Sequence, residues 1–283
     1  MRRVLSYIWW PLLFGVCVAV TYWGVVNDMT IVVFNVTYLS LALTIAVLER
    51  VMPHEQAWLA NDGQVGPDIA HTLLNKSIAQ ALVLSLTFLG LAELASPAGH
   101  AWWPGSLPVM LQVALGLVFV EFGLYWKHRL AHEWPPLWRF HAVHHSAQHM
   151  DWMAGARMHF FEILVLRGTT VFPMILLGFS QTAVNAYVLV VYLFATFAHS
   201  NLGWRLGLMD KFFVTPRFHH WHHGIEKEAV DVNFAIHFPL FDKIFGTHHM
   251  PENNRWPSGY GIGGHPVPKG YWQQFLYPFR RKK

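Results

Sequence analysis

The sequence predicts an all-α integral membrane protein: about six transmembrane helices, four at the least, beneath a cytoplasmic helical cap. Three observations predict it. Hydrophobic residues make up 54% and charged residues 13% of the chain, against about 25% charged in soluble domains. Six long apolar segments punctuate the first two thirds of the sequence. The basic residues between them sort to one side.

The segments run over Tyr7–Val26, Thr30–Leu48, Ile78–Leu94, Leu107–Trp126, Ile163–Phe179 and Thr182–Ala198. Several approach the ~20 residues that cross a bilayer core, and the last two sit near the lower limit, so that some fit a re-entrant path. Arg2 and Arg3 precede the first segment as in a signal peptide. The apolar stretch is long and lacks an A-x-A cleavage site, so it reads as a retained anchor. The connections 27–29 and 180–181 are so short that segments one and two, and five and six, read as tight helical hairpins. With the N-terminus inside, the outer loops 27–29, 95–106 and 180–181 hold no Lys or Arg, and 19 of the 20 basic residues fall in the inner stretches 1–6, 49–77, 127–162 and 199–283. The exception, Arg167, lies one turn into segment five. This is the positive-inside pattern, and Trp102 and Trp103 then fall near the outer interface, where Trp is enriched.

Cys17 is the single cysteine, which excludes an internal disulfide framework and any cysteine-held metal cluster. A net charge of +4 fits anionic lipid headgroups. No basic stripe interleaved with aromatics marks a nucleic-acid surface. The chain divides into residues 1–106, N-terminal transmembrane helices and loops; 107–250, which carry the chemistry; and 251–283, a Gly/Pro-rich basic tail expected against the membrane surface.

Nineteen histidines are the outstanding feature. Three clusters have helical spacing: His128 with His132; His141 with His144 and His145; His219 with His222 and His223. Residues at i, i+3 and i+4 share a helix face. Adjacent residues diverge by about 100°. A triplet of the HxxHH type therefore offers two imidazoles to one ion and the third to a neighbour. Eight imidazoles exceed what one ion uses, so the expectation is a dimetal site. His199 follows segment six at the depth where His128 follows segment four, and His159 precedes segment five at a similar depth; both join the candidate ligands. His220 falls off register and is expected to face away. His149, His248 and His249 are candidate outer partners, and His54, His71, His100, His237 and His265 read as unremarkable.

Glu121 lies inside segment four, where a carboxylate is costly and marks function. Glu121, Tyr125, His128 and His132 form one continuous helix face, so Glu121 or Tyr125 is expected to orient ligand imidazoles or balance charge. Asp231, Asn233 and Asp242 are further candidates for that role. Imidazoles suit Zn, Cu, Fe and Ni. The H-E-x-x-H motif is absent, since Trp134-Pro135-Pro136 follows His132-Glu133 and ends the helix. No G-x-S-x-G elbow and no Walker loop occurs. Redox-active iron in such a site fits activation of O2 and attack on an unactivated C–H bond of a lipid chain. A metal transporter or store would spread ionisable residues along a path through the membrane helices. A bis-histidine haem carrier would pair facing histidines within the bundle. The clustering fits neither.

The stretch from about Leu117 to Met250 resembles the fatty acid hydroxylase / sterol desaturase superfamily. The residues that carry it are EFGLYWKHRLAHEWPPLWRFHAVHHSAQHMDWMAGARMHFFE, HSN at 199–201, TPRFHHWHH at 215–223 and DVNFAIHFPLFDKIFGT at 231–247. The resemblance implies a membrane di-iron monooxygenase that hydroxylates or desaturates a lipid such as a fatty acyl chain, sterol or ether/amino lipid. O2 is the implied co-substrate, and zinc enters only by mis-metallation. It implies metal binding by His128, His132, His141, His144, His145, His219, His222 and His223, with His199 as the single histidine before the last box. Many relatives have His-Pro where this chain has His159-Phe160, and some have HxxxH where it has Ala195 and His199, so the ninth and tenth ligand places stay open between His159, His199 and water. No His-Pro-Gly-Gly haem motif of the cytochrome b5 type occurs. GGHPVP at 263–268 has a different order. Electrons are therefore expected from a separate donor of ferredoxin, cytochrome b5 or reductase type.

Overall fold

The structure, a computed structural model, describes residues 2–78, 81–82, 105–204 and 206–280. Among them the secondary structure is helical, apart from an isolated β-bridge between Gly224 and Tyr260. Among the described residues, five helices are long and apolar enough to cross a membrane. They are α1 (Arg2–Val26), α2 (Thr30–Val51), α4 (Val109–Glu133), α6 (Phe160–Leu177) and α7 (Gln181–His199). Short helices lie between and after them: α3 (Val65–Ala70), α5 (Pro135–His145), α8 (Pro216–His222), α9 (Leu240–Phe245) and α10 (Tyr271–Leu276). The chain is thus an all-α, multi-pass membrane protein, and five predicted segments match observed helices. Beyond Ile78 and residues 81–82, the third predicted segment lies outside the described residues, as do His100, Trp102 and Trp103.

The local chemistry explains the breaks. α1 and α2 form the expected hairpin. They approach so closely that a Cβ at Gly24 would sit 2.6 Å from Val33 Cβ. α6 and α7 are joined as tightly, yet α6 packs chiefly against α4, and α7 against α2 and α4, rather than on each other. α4 runs past its apolar segment to Glu133, and Trp134 ends it. Pro135 then starts α5 at the helix position where a missing N–H costs nothing. Ser180 and Thr215 cap α7 and α8 through their hydroxyls.

The bundle core is aromatic where α1 meets α7. Trp10 stacks on Phe14 at 4.9 Å and meets Phe194, Phe197 and Phe213. At the end of α2, buried Glu49 accepts hydrogen bonds from the backbone N–H of Trp152 and Asn201, at 3.0 and 2.9 Å. Asp68 of α3 holds Arg157 in a bidentate pair of 2.6 and 2.8 Å, buried on both sides. These ties hold the end of α2, α3, the segment after α7 and the loop leading into α6 together at one end of the bundle. The tail folds onto the same end: Gln274 bonds His71, Tyr271 donates to Asn75, and Val267 packs with Ala142 and Val143.

Candidate metal centre

Nine histidines converge in two groups. His128, His132, His141, His145 and His222 form cluster A. His144, His199, His219 and His223 form cluster B. Within each group one ligand atom per residue lies within 4.8 Å of every other. As expected, the HxxHH triplets split between centres: His141 and His145 go to A with His144 to B, and His219 and His223 to B with His222 to A.

The loop after α8 sets the rings of cluster A. His128 Nδ1 donates to Phe234 O at 2.7 Å and His222 Nδ1 to Val232 O at 2.8 Å. His132 Nδ1 lies 3.3 Å from Asp231 Oδ1. His141 Nδ1 donates to Glu162 Oε1 at 2.7 Å, and the same oxygen accepts from Lys127 Nζ at 2.7 Å. In cluster B, His199 Nδ1 donates to Ala195 O at 2.9 Å. A carbonyl only accepts, so the Nδ1 of these rings carries the proton and Nε2 presents its lone pair to the centre.

Those lone pairs face one another. His128 Nε2 lies 3.0 Å from His141 Nε2, and His219 Nε2 lies 2.8 Å from His199 Nε2, which in turn lies 3.2 Å from His144 Nε2. Burial holds His141, His144, His145, His219, His222 and His223 below the ordinary histidine range, so they stay neutral. Neutral imidazoles with their acceptor nitrogens in contact repel unless a cation sits between them. The residues therefore fit metal ions.

The remaining predicted residues are placed as follows. His159 is in neither cluster. Its Nε2 donates to Phe275 O at 2.9 Å and its Nδ1 accepts from Phe161 N–H at 3.2 Å, so both nitrogens are committed to capping α6 and holding the tail. Glu121 touches no ligand imidazole. It accepts from Ile236 N–H at 2.8 Å, from His237 N–H at 3.1 Å, and from His237 Nδ1 in a very short contact. Tyr125 Oη meets Thr247 and Arg129, and its ring packs on Phe234, one step behind His128. Both act on the loop that orients cluster A. Asp231 reaches His132 directly. Asn233 binds Phe218 O and both backbone groups of His249, while Asp242 accepts from Phe234 N–H and Ala235 N–H. His220 faces away, against Tyr260. His149 is loosely placed, 3.9 Å from Asp62.

Sequence reasoning missed Glu162, Lys127 and His237. A signal for the first two was present: a carboxylate and an ammonium at the edges of two apolar segments, each costly alone and neutralised as a pair.

Two cavities meet the clusters. One of about 90 Å³ lies between α4, α6 and α7, bordered by Leu124, Leu166, Val191 and Ala195, and touches His128, His141, His144, His199 and His219. The other, about 310 Å³, opens through the cap loops onto His132, His145 and His222.

A multi-pass membrane protein with two such histidine centres defines a narrow class, and similarity to known proteins specifies it. The fatty acid hydroxylase profile matches residues 113–247. The chain is 38% identical over its whole length to ornithine lipid hydroxylase OlsE of Rhizobium tropici, covering 86% of that protein. It is 33% identical to human alkylglycerol monooxygenase over 52% of this chain and 32% of that one. It is 26% identical to a cholesterol 25-hydroxylase-like protein of Danio rerio over 77% of this chain and 90% of that one. No solved structure matches. The chain belongs to the fatty acid hydroxylase family, and it is an oxygenase-class membrane enzyme whose relatives hydroxylate lipids.

Proposed function

We propose that the protein is a di-iron, O2-dependent hydroxylase of a membrane lipid with an amino-acid headgroup, of the ornithine-lipid type. The observation that carries it is the apolar cavity bordered by histidines of both clusters, in a chain similar throughout to an ornithine lipid hydroxylase. Cluster A and cluster B would each hold one iron, and the pair with O2 would supply the oxidant for a C–H bond, with electrons from a separate donor protein.

The chain's own residues do the rest. Leu124, Leu166 and Val191 offer an apolar channel to an acyl chain arriving sideways from the bilayer, and they keep water away from the centre. Phe234 O, Val232 O, Ala195 O and Glu162 fix the rings that hold the metals. Lys127 balances Glu162 beside the cavity, so that His141 meets a compensated carboxylate rather than a lone buried charge. The charge sorting supports a cytoplasmic N-terminus and a cytoplasmic histidine end, where an electron donor is accessible.

The test is expression in a bacterium that makes ornithine lipids but does not hydroxylate them, followed by mass spectrometry of the lipids and by iron analysis and Mössbauer spectroscopy of the anaerobically purified protein. The expected result is an ornithine lipid with one added oxygen and two coupled irons per chain. His144→Ala is expected to insert in the membrane, lose iron and give no product. Two irons with no oxygenated amino-acid lipid would sink the substrate assignment. Fewer than two irons would sink the di-iron reading.

A further inference from the structure

The two clusters are not equally reachable. All four histidines of cluster B are buried, none more than 5% exposed, and none lines the cavity that opens through the cap. Three of them face only the apolar cavity between the membrane helices. Apart from the histidines and the paired Lys127 and Glu162, that cavity is walled by apolar side chains, so a hydrated ion entering from the bilayer side would shed its water for few polar partners. Cluster A differs. His132, His145 and His222 form the floor of the cap cavity, and His132 is the one ligand candidate that is not fully buried.

The walls of the cap cavity come from Trp138, from loop residues 224–231 and from Gly261, Ile262 and Gly263 of the tail. Asp231 is the only carboxylate among its lining residues; its side chain is half exposed, and Oδ1 lies 3.3 Å from His132 Nδ1. One oxygen can therefore meet an arriving ion at the mouth while the residue stays bound to the first histidine inside. Beyond cluster A, the ring of His145 stacks on that of His223 at 4.3 Å, so the two centres adjoin.

We propose, building on the two-metal reading, that the cap cavity is the protein's metal port. Ions exchange with cluster A through it, captured first by the Asp231 carboxylate, and cluster B exchanges only by way of cluster A. The ion gives up water ligands stepwise for a carboxylate oxygen and then imidazole nitrogens, with no change of oxidation state.

The test uses full-length protein in detergent, loaded anaerobically with ferrous ion and then mixed with excess water-soluble ferrous chelator. The wild type is expected to release iron in two phases of one ion each, the second slower by about ten-fold or more. Gly263→Trp adds bulk at the rim of the cap cavity, at a position where a Cβ meets nothing within 4 Å; it is expected to slow the fast phase about ten-fold with two ions still bound at equilibrium. Asp231→Asn keeps a residue that tolerates the left-handed backbone (φ 55°). It is expected to slow ferrous uptake at least about five-fold, because the carboxylate's attraction for a divalent ion is lost. Release of both ions in one phase, or an unchanged fast phase in Gly263→Trp, overturns the port while the two-metal reading stands. Binding of fewer than two ions overturns both, and the wild-type measurement decides even if a variant fails to fold.

Discussion

Replacing Glu121 probes the loop that orients cluster A from a position that touches none of its ligands. The carboxylate is buried within α4 and accepts from Ile236 N–H, His237 N–H and His237 Nδ1. A hydrogen bond to a charged group contributes about 1.5–3 kcal/mol, and an orphaned buried donor costs about 1–3 kcal/mol. Glu121→Ala leaves all three donors without their acceptor in a buried site. The expected loss is about 3–5 kcal/mol, in the range for breaking a buried charged network. Glu121→Gln keeps the shape and one acceptor oxygen but turns an NH2 group toward a donor, so about 2–3 kcal/mol is expected. The disturbance passes through Ile236 to Phe234, whose carbonyl orders His128. Iron content should therefore fall as well as stability. The assay is unfolding in mixed detergent micelles, followed by circular dichroism, with iron counted per chain. Glu121→Gln at wild-type stability and full iron content would refute the claim that this carboxylate holds the loop.

Three further outcomes are expected. A Cβ at Gly155 would lie 2.8 Å from His199 Nδ1, so Gly155→Ala should displace that ring and lower iron content toward one per chain by elemental analysis. Asp68→Leu strands the buried Arg157 guanidinium and should cost about 3–5 kcal/mol, while Asp68→Leu with Arg157→Met should regain most of it in the same unfolding assay. The metal-free protein should weaken in acid. Burial puts the folded-state pKa values of His141, His144, His145, His219, His222 and His223 below the ordinary 6.5, so their contribution is complete above that pH and is lost as pH falls. The slope is at most about 1.4 kcal/mol per pH unit for each histidine, and denaturant midpoints between pH 7.5 and 5.5 (roughly one unit either side of 6.5) check it.

The membrane helices and the histidine boxes are legible in the sequence because both are local. Apolar runs report a bilayer, and i, i+3, i+4 spacing reports a shared helix face. The split of each HxxHH triplet between two centres follows from the angle between adjacent residues on a helix. What spacing does not carry is which oxygen stands behind each ring. Three cluster A partners lie in residues 231–234, where Asp231 and Asn233 take left-handed backbone, and no periodicity encodes that bend. His159 shows the converse. Its depth matches that of a ligand, but a histidine just before a helix is also well placed to cap it, and here capping prevails. Glu121 is marked by its cost in the membrane, although it works on the backbone of a loop rather than on an imidazole.

The Glu49 clamp bears on where this protein can be cut. The family profile begins at residue 113, and a chain truncated to that point would discard Glu49, Asp68 and Trp10. Without them the N–H groups of Trp152 and Asn201 lose their shared acceptor, Arg157 keeps a charge with no partner, and Phe194 and Phe197 lose the indole they pack on. Each loss falls within a few residues of a cluster B ligand or of the loop leading into α6. The stretch that sequence similarity delimits is therefore smaller than the stretch tied together around the metal centre, and the hairpin ahead of it braces the segments that carry the ligands rather than serving as a detachable membrane anchor.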